Sequence, residues 1–221
     1  MKRINTTKLM ALLASLCLIT SSFVGSTLAK YTTSATANDS ARVAKFGVTV
    51  TANSEAFKTE YVKDVTTHDI DLTVAATEKV IAPGTFGTLG TSNITGKPEV
   101  AVEVKREATL ELGEAWVDSN GNYYCPLEIT VDTTTYKGND YTSADEFEAA
   151  VLADEKLVKK TNYVPGTDLS VNDNVNVTWA WAFEGGKGQT DVKDTFLGDN
   201  AAAGNPATIA FSLKTTVTQL D

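Results

Sequence analysis

The sequence predicts an all-β chain, an antiparallel jelly-roll-like β-sandwich with a short helical insertion near 143–160. Three features point there. Apolar residues alternate with polar ones along successive short runs, turn-forming residues separate those runs, and one segment has the start signal of a helix. Alternation with period two turns one face of a strand to a core and the other to water. Many such strands with little helix between them pack as antiparallel sheets.

The runs follow in order. Ala44, Phe46, Val48 and Val50 alternate with Lys45, Gly47, Thr49 and Thr51. Next come Ile70, Leu72 and Val74, then Val100, Val102 and Val104, then Leu127, Ile129 and Val131. Val175, Val177, Trp179, Trp181 and Phe183 form the stripe richest in aromatics, and Ile209, Phe211 and Leu213, with Val217 beyond, make the last run. Large aromatics at alternate positions pack a core first. A second reading makes Trp179 and Trp181, or Trp116, Tyr123 and Tyr124, a platform for a glycan or a surface receptor.

The connections agree with a β fold. Asn120-Gly121 stands between Trp116-Val117 and Tyr123-Tyr124, and both central residues tolerate positive φ, so a tight type I′ hairpin is expected. Asp118, Asn120 and Asn122 also imitate the start of a calcium loop. Tyr123 stands where that loop needs glycine, however, and Ile129 where it needs glutamate. Ala82-Pro83-Gly84 is a second turn. Ser143-Ala144-Asp145-Glu146 is a capping box that opens a helix with Phe147, Ala150, Val151 and Val158 near one face, and Asp154 interrupts that stripe, so a break is expected near Ala153-Asp154. Residues 185–188 and 201–206 read as flexible connections.

The N-terminus has the three parts of a secretory signal peptide. Lys2, Arg3 and Lys8 precede the apolar run Leu9 to Ile19, and small residues lead to Thr27-Leu28-Ala29. The expected cut lies between Ala29 and Lys30. It leaves 30–41 as an extended N-terminal arm and 42–221 as the β-sandwich domain. The apolar run is short for a membrane span of about 20 residues, so no membrane association is expected after cleavage. The chain has 19 basic and 28 acidic residues; the signal takes three of the basic ones and none of the acidic, leaving 192 residues with a net charge of −12. Such a surface repels phosphates, which excludes nucleic acid as a partner. Cys17 leaves with the signal. Cys125 stands alone in a strand-like stretch and reads as a buried structural thiol.

Catalytic chemistry finds little to use. The single histidine, His68, excludes a two-histidine zinc motif, and no nucleophile turn or phosphate-binding glycine loop is present. Asp191, Asp194 and Asp199, with Asn200, read either as oxygen ligands for calcium or as a solvated loop. No catalytic, cofactor-binding or metal-binding residue is assigned, and the chain is not expected to be an enzyme. Sequons occur at Asn5, Asn38, Asn93 and Asn176.

Several short motifs, in order along most of the chain, carry a family likeness. They are Gly25-Ser26-Thr27-Leu28-Ala29-Lys30-Tyr31, then Ala44-Lys45-Phe46-Gly47-Val48, then Val80-Ile81-Ala82-Pro83-Gly84. Trp179-Ala180-Trp181-Ala182-Phe183-Glu184, Asp194-Thr195-Phe196-Leu197-Gly198 and the closing Ile209-to-Val217 run complete the set. Together they resemble the TasA/camelysin-type proteins, secreted biofilm matrix fibre subunits of Gram-positive bacteria. The resemblance implies a jelly-roll subunit, found in the extracellular matrix or at the cell surface, that forms a homo-polymer by donor-strand complementation. Cell-surface or matrix components are further partners open to it. The implied donor strand is Lys30, Tyr31, Thr32, Thr33, Ser34, Ala35, Thr36 and Ala37. These residues lack Pro and Gly and can lie extended, with Tyr31, Thr33, Ala35 and Ala37 on one face. A disordered arm is the other reading of the same residues. Some members of that family carry a metallopeptidase label. One histidine and no H-E-x-x-H cannot supply the usual zinc site, so that activity is not transferred.

Overall fold

The computed structural model describes residues 10, 40–53, 56–61, 74–171, 173–181 and 190–220. The chain divides into two compact units, Met1–Arg42 and Val43–Asp221. Of the first unit only residues 10 and 40–42 are described.

The second unit is all-β with two helices. Its strands are β1 (Val48–Asn53), β2 (Lys58–Tyr61), β3 (Val74–Val80), β4 (Phe86–Gly96), β5 (Val102–Leu112), β6 (Leu127–Val131), β7 (Thr134–Lys137), β8 (Lys160–Tyr163), β9 (Val175–Trp181) and β10 (Ile209–Gln219). The helices are α1 (Ala144–Leu152) and α2 (Thr190–Ala202). A five-stranded sheet runs β1-β4-β9-β6-β7, a three-stranded sheet runs β10-β5-β8, and β2 and β3 form a separate ribbon. Every pairing is antiparallel.

The alternating runs made these strands for the expected reason. On β6, Leu127, Ile129 and Val131 are buried while Glu128 and Thr130 face outward; on β9, Val175, Val177, Trp179 and Trp181 are buried. One core cluster holds Leu89, Ile129, Val177 and Trp179 from the larger sheet and Leu110 from the smaller, with Phe211 and Leu213 packed on it. The two sheets therefore share a core. Gly90 lets them approach, because a Cβ there would meet the Phe211 ring at 3.3 Å. The β2–β3 ribbon and the residue before it add aromatics to the same core. Phe57 and Tyr61 lie 5.4 and 6.2 Å from the Trp179 ring, and Trp179 Nε1 donates to the Ala56 carbonyl at 2.8 Å.

An ion cluster lies inside this apolar frame. Arg106 on β5 and Asp173 before β9 have fully buried side chains, with Arg106 Nη2 2.7 Å from Asp173 Oδ1. The same guanidinium donates to the Asp173 and Lys156 carbonyls. Lys159 Nζ approaches Asp173 Oδ1 at 3.1 Å, and the Tyr163 hydroxyl donates to Asp173 Oδ2 at 2.8 Å. Buried charge is tolerated where its partners are fixed. Here the partners tie β5, β8 and the entry to β9 together.

Four details differ from the sequence reading. The hairpin after Trp116 is not type I′. Among the described residues Asp132 is the non-glycine with positive φ, so Asn120 is not, and Gly121 at φ 77° takes the left-handed position alone. The cause is Asp118, whose Oδ1 accepts the Asn120 and Asn122 amides at 2.9 and 3.1 Å and imposes its own turn. Helix α1 is shorter than 143–160. It begins as expected, with Ser143 Oγ accepting the Glu146 amide at 3.2 Å, and it ends at Leu152, at the break expected near Ala153-Asp154, where Asp154 accepts the Lys156 amide at 2.8 Å and Val158 is left exposed. The acidic stretch around Asp191, Asp194 and Asp199 is not a loop but helix α2. Finally, Phe46 and Val50, expected on a core face, are each 37 % exposed; Val50 lies on the edge strand β1, and Phe46 precedes that strand.

Candidate assembly edge

The long last strand, β10, pairs with β5 along its whole length, from Ile209 opposite Leu112 to Gln219 opposite Val102. Among the described residues it has no ladder on its other side. The Gly113 amide donates to the Thr208 carbonyl and the Leu220 amide to the Ala101 carbonyl, both at 2.9 Å. Antiparallel ladders alternate, so even-numbered positions bond to β5. Ile209, Phe211, Leu213, Thr215 and Val217 then direct their N–H and C=O groups to the open side.

The side chains of those odd positions face the core, yet all five are only half-buried. Of the residues opposite them on the neighbouring strand β5, Val104, Arg106 and Leu110 are buried, while Ala108 and Leu112 are half-buried. The difference is position. A strand with a neighbour on one side covers half as much of its inward row. Strand β1, at the edge of the other sheet, repeats the pattern: Val50 is 37 % exposed, whereas Ile94 opposite it on β4 is buried. β1 and β10 approach each other at this flank without a ladder between them.

Edge strands are usually blunted by proline, bulges or inward charges. β10 has no proline, no glycine and one charged residue, Lys214, on its outward face. Nor does it bulge, since its register with β5 is continuous over all eleven residues. It is anchored from within, where Ser92 Oγ of β4 and Thr215 Oγ1 lie 2.7 Å apart. Among the described residues, β10 therefore presents an unpaired strand edge without those protections.

The residues singled out from the sequence fall in different places. The cut between Ala29 and Lys30, the donor strand Lys30, Tyr31, Thr32, Thr33, Ser34, Ala35, Thr36 and Ala37, and His68 all lie outside the described residues. Cys125 is buried, and burial pushes its thiol up to about 12. The aromatic platform is turned inward. Trp116, Tyr124, Trp179 and Trp181 are buried and Tyr123 is half-buried, and Trp116 Nε1 donates to the Thr208 carbonyl at 2.8 Å. Asp194 accepts the Tyr124 hydroxyl at 2.7 Å, and among the described residues no group of His, Cys, Asp or Glu is placed to hold a metal ion. Among them, too, no helix is long and apolar enough to cross a membrane.

The edge was readable only in part. The alternation of Ile209, Phe211 and Leu213 signalled a strand, but nothing local in a sequence says which strand of a sheet lacks a neighbour. No family model, curated protein or solved structure matches the chain.

Proposed function

We propose that this protein is a secreted structural subunit, a jelly-roll-like β-sandwich that polymerises into extracellular, biofilm-matrix-type fibres by N-terminal donor-strand complementation. The observation that carries the reading is the free edge of β10, whose five inward side chains are half-covered and whose outward-directed backbone groups lack a ladder among the described residues. An added strand satisfies such backbone groups and covers the exposed inward row. The arm beginning at Lys30 suits that role. Tyr31, Thr33, Ala35 and Ala37 share one face, and small side chains let it lie close to a row already half-filled by Phe211 and Leu213. Affinity then rests mainly on main-chain hydrogen bonds, and many copies compensate for modest strength at each joint.

Electron microscopy of a chain beginning at Lys30 should show filaments, and a chain beginning at Asp39 should remain monomeric. Val217→Pro removes one donor from the open edge and none from the β5 ladder, so it should suppress filaments in the longer chain while the fold survives. Equal polymerisation by the Lys30 and Asp39 chains overturns donation.

A further inference from the structure

The outward face of the larger sheet is unlike the rest of this acidic molecule. The cross-strand register aligns Thr88, Thr178, Thr130 and Thr135 in one row over four strands, and Phe86, Ala180, Glu128 and Lys137 in the next. The first row is all hydroxyl and methyl. In the second, Glu128 is neutralised by Lys137 at 2.6 Å. Where β1 ends, Asn53 and Lys58 rise beside the first three strands of these rows, and the groove so formed has a volume of about 620 Å³. That lies within the range of small-ligand sites. Phe86 projects into it 54 % exposed, although it sits at an outward position where the neighbouring residues are threonine and alanine.

We propose that this groove binds a neutral glycan chain. The lining selects that chemistry. A pyranose presents C–H groups on its faces and hydroxyls around its rim. Phe86, the Ala180 methyl and the threonine methyls offer the apolar contact, and the Thr88 and Thr178 hydroxyls, Asn53 and Glu128 offer donors and acceptors. A polyanion gains little from a groove lined, among the described residues, by the one cation Lys58, on a chain of net charge −9. Thr130 and Thr135 pair their hydroxyls with each other at 2.9 Å, but a lipid tail would give the Thr88 and Thr178 hydroxyls and Asn53 nothing to bond. The site is independent of the assembly edge. It lies on the outer face of the β4, β9 and β6 strands, whereas the edge is the open side of β10. A subunit with both would bind its own kind through one surface and matrix polysaccharide through the other.

Affinity electrophoresis of the protein through gels containing hydroxyethyl cellulose, dextran or laminarin, with alginate as the anionic control, tests this. Retardation is expected in at least one neutral gel and not in alginate. Phe86→Ala should weaken it roughly tenfold, equivalent to ~1.4 kcal/mol, while Phe86→Tyr keeps it. Thr178→Val, which replaces a hydroxyl by a methyl of the same shape, should weaken it with no loss of melting temperature. Equal mobility in every neutral gel, retention undiminished in Phe86→Ala, or stronger retardation in alginate each overturn the proposal. Filament formation by the Phe86→Ala protein, imaged in parallel, keeps failure here separate from failure of the fibre reading.

Discussion

Ser92 Oγ and Thr215 Oγ1 lie 2.7 Å apart, joining the second strand of the large sheet to the edge strand of the small one through the core. Ser92 is buried, so either hydroxyl left alone loses a partner that water cannot readily replace. Ser92→Ala or Thr215→Val should each cost about 1–3 kcal/mol, and the double substitution should cost less than the sum of the two. Chemical denaturation of the four proteins closes the cycle. Strict additivity would show that the two hydroxyls are not coupled and that β10 is not held rigid at this point.

The buried ion cluster predicts an asymmetry of its own. Asp173→Asn leaves the Arg106 guanidinium, already without a partner at Nε, facing a neutral side chain in a dry site. Breaking a buried pair in this way should destabilise by about 3–5 kcal/mol. Replacing both residues together, Arg106→Met with Asp173→Leu, removes the stranded charge and should recover much of that loss, since Lys159 can turn its partly exposed amine to solvent. A double variant no more stable than Asp173→Asn would mean that the cluster stabilises the fold in its own right.

How far the sequence could be read depends on the kind of element. Strands with an uninterrupted apolar alternation, β6, β9 and β10, were legible because each turns one whole row inward. Strand β4 was not, although it sits between β1 and β9. Phe86-Gly87-Thr88-Leu89-Gly90 has two glycines, and the register shifts between Thr88 and Gly90, so the period of two breaks where the strand is most buried. Helix α2 was hidden for the opposite reason. It buries Leu197 and little else, so no apolar stripe announces it. The free edge and the threonine row are properties of neighbours in space, set by register between strands far apart in the chain. Composition shows the threonines but not their alignment.

Because α2 buries so little, its attachment depends on polar contacts that acid should loosen. Lys193 Nζ lies 3.2 Å from Asp118 Oδ2 and 4.9 Å from the centre of the Tyr124 ring, and Asp194 accepts the Tyr124 hydroxyl. Loss of solvation works against the Asp118 carboxylate, but the Asn120 and Asn122 amides and Lys193 outweigh it and hold its pKa below the ordinary value. A depressed carboxyl pKa contributes stability above the unfolded value of 3.8 that disappears as pH falls through the folded one. Amide hydrogen exchange along α2 should therefore accelerate below about pH 4, beyond the intrinsic pH effect, before the core strands respond. In Asp118→Asn the helix should be loose already at pH 7 and show no added acid sensitivity.

At the alkaline end Cys125 should control the first loss of stability. Burial raises its thiol from 9.0 to about 12, so between those values the folded chain keeps a proton that the unfolded chain has released. The folded state then binds more protons than the unfolded one, and unfolding free energy must fall as pH rises, by up to ~1.4 kcal/mol per pH unit for one group. Tyr136, raised by burial and by its hydrogen bond to Asp154, joins only above its unfolded value of 10.0. The interval from about pH 9 to 10 therefore isolates the thiol. Guanidinium midpoints measured at half-unit steps should decline there for the native sequence and stay level for Cys125→Ala. In the same interval a thiol reagent should label the native protein only as fast as it opens. Prompt labelling, or an equal decline in Cys125→Ala, would place the thiol in water and contradict the packing of Cys125 in the core.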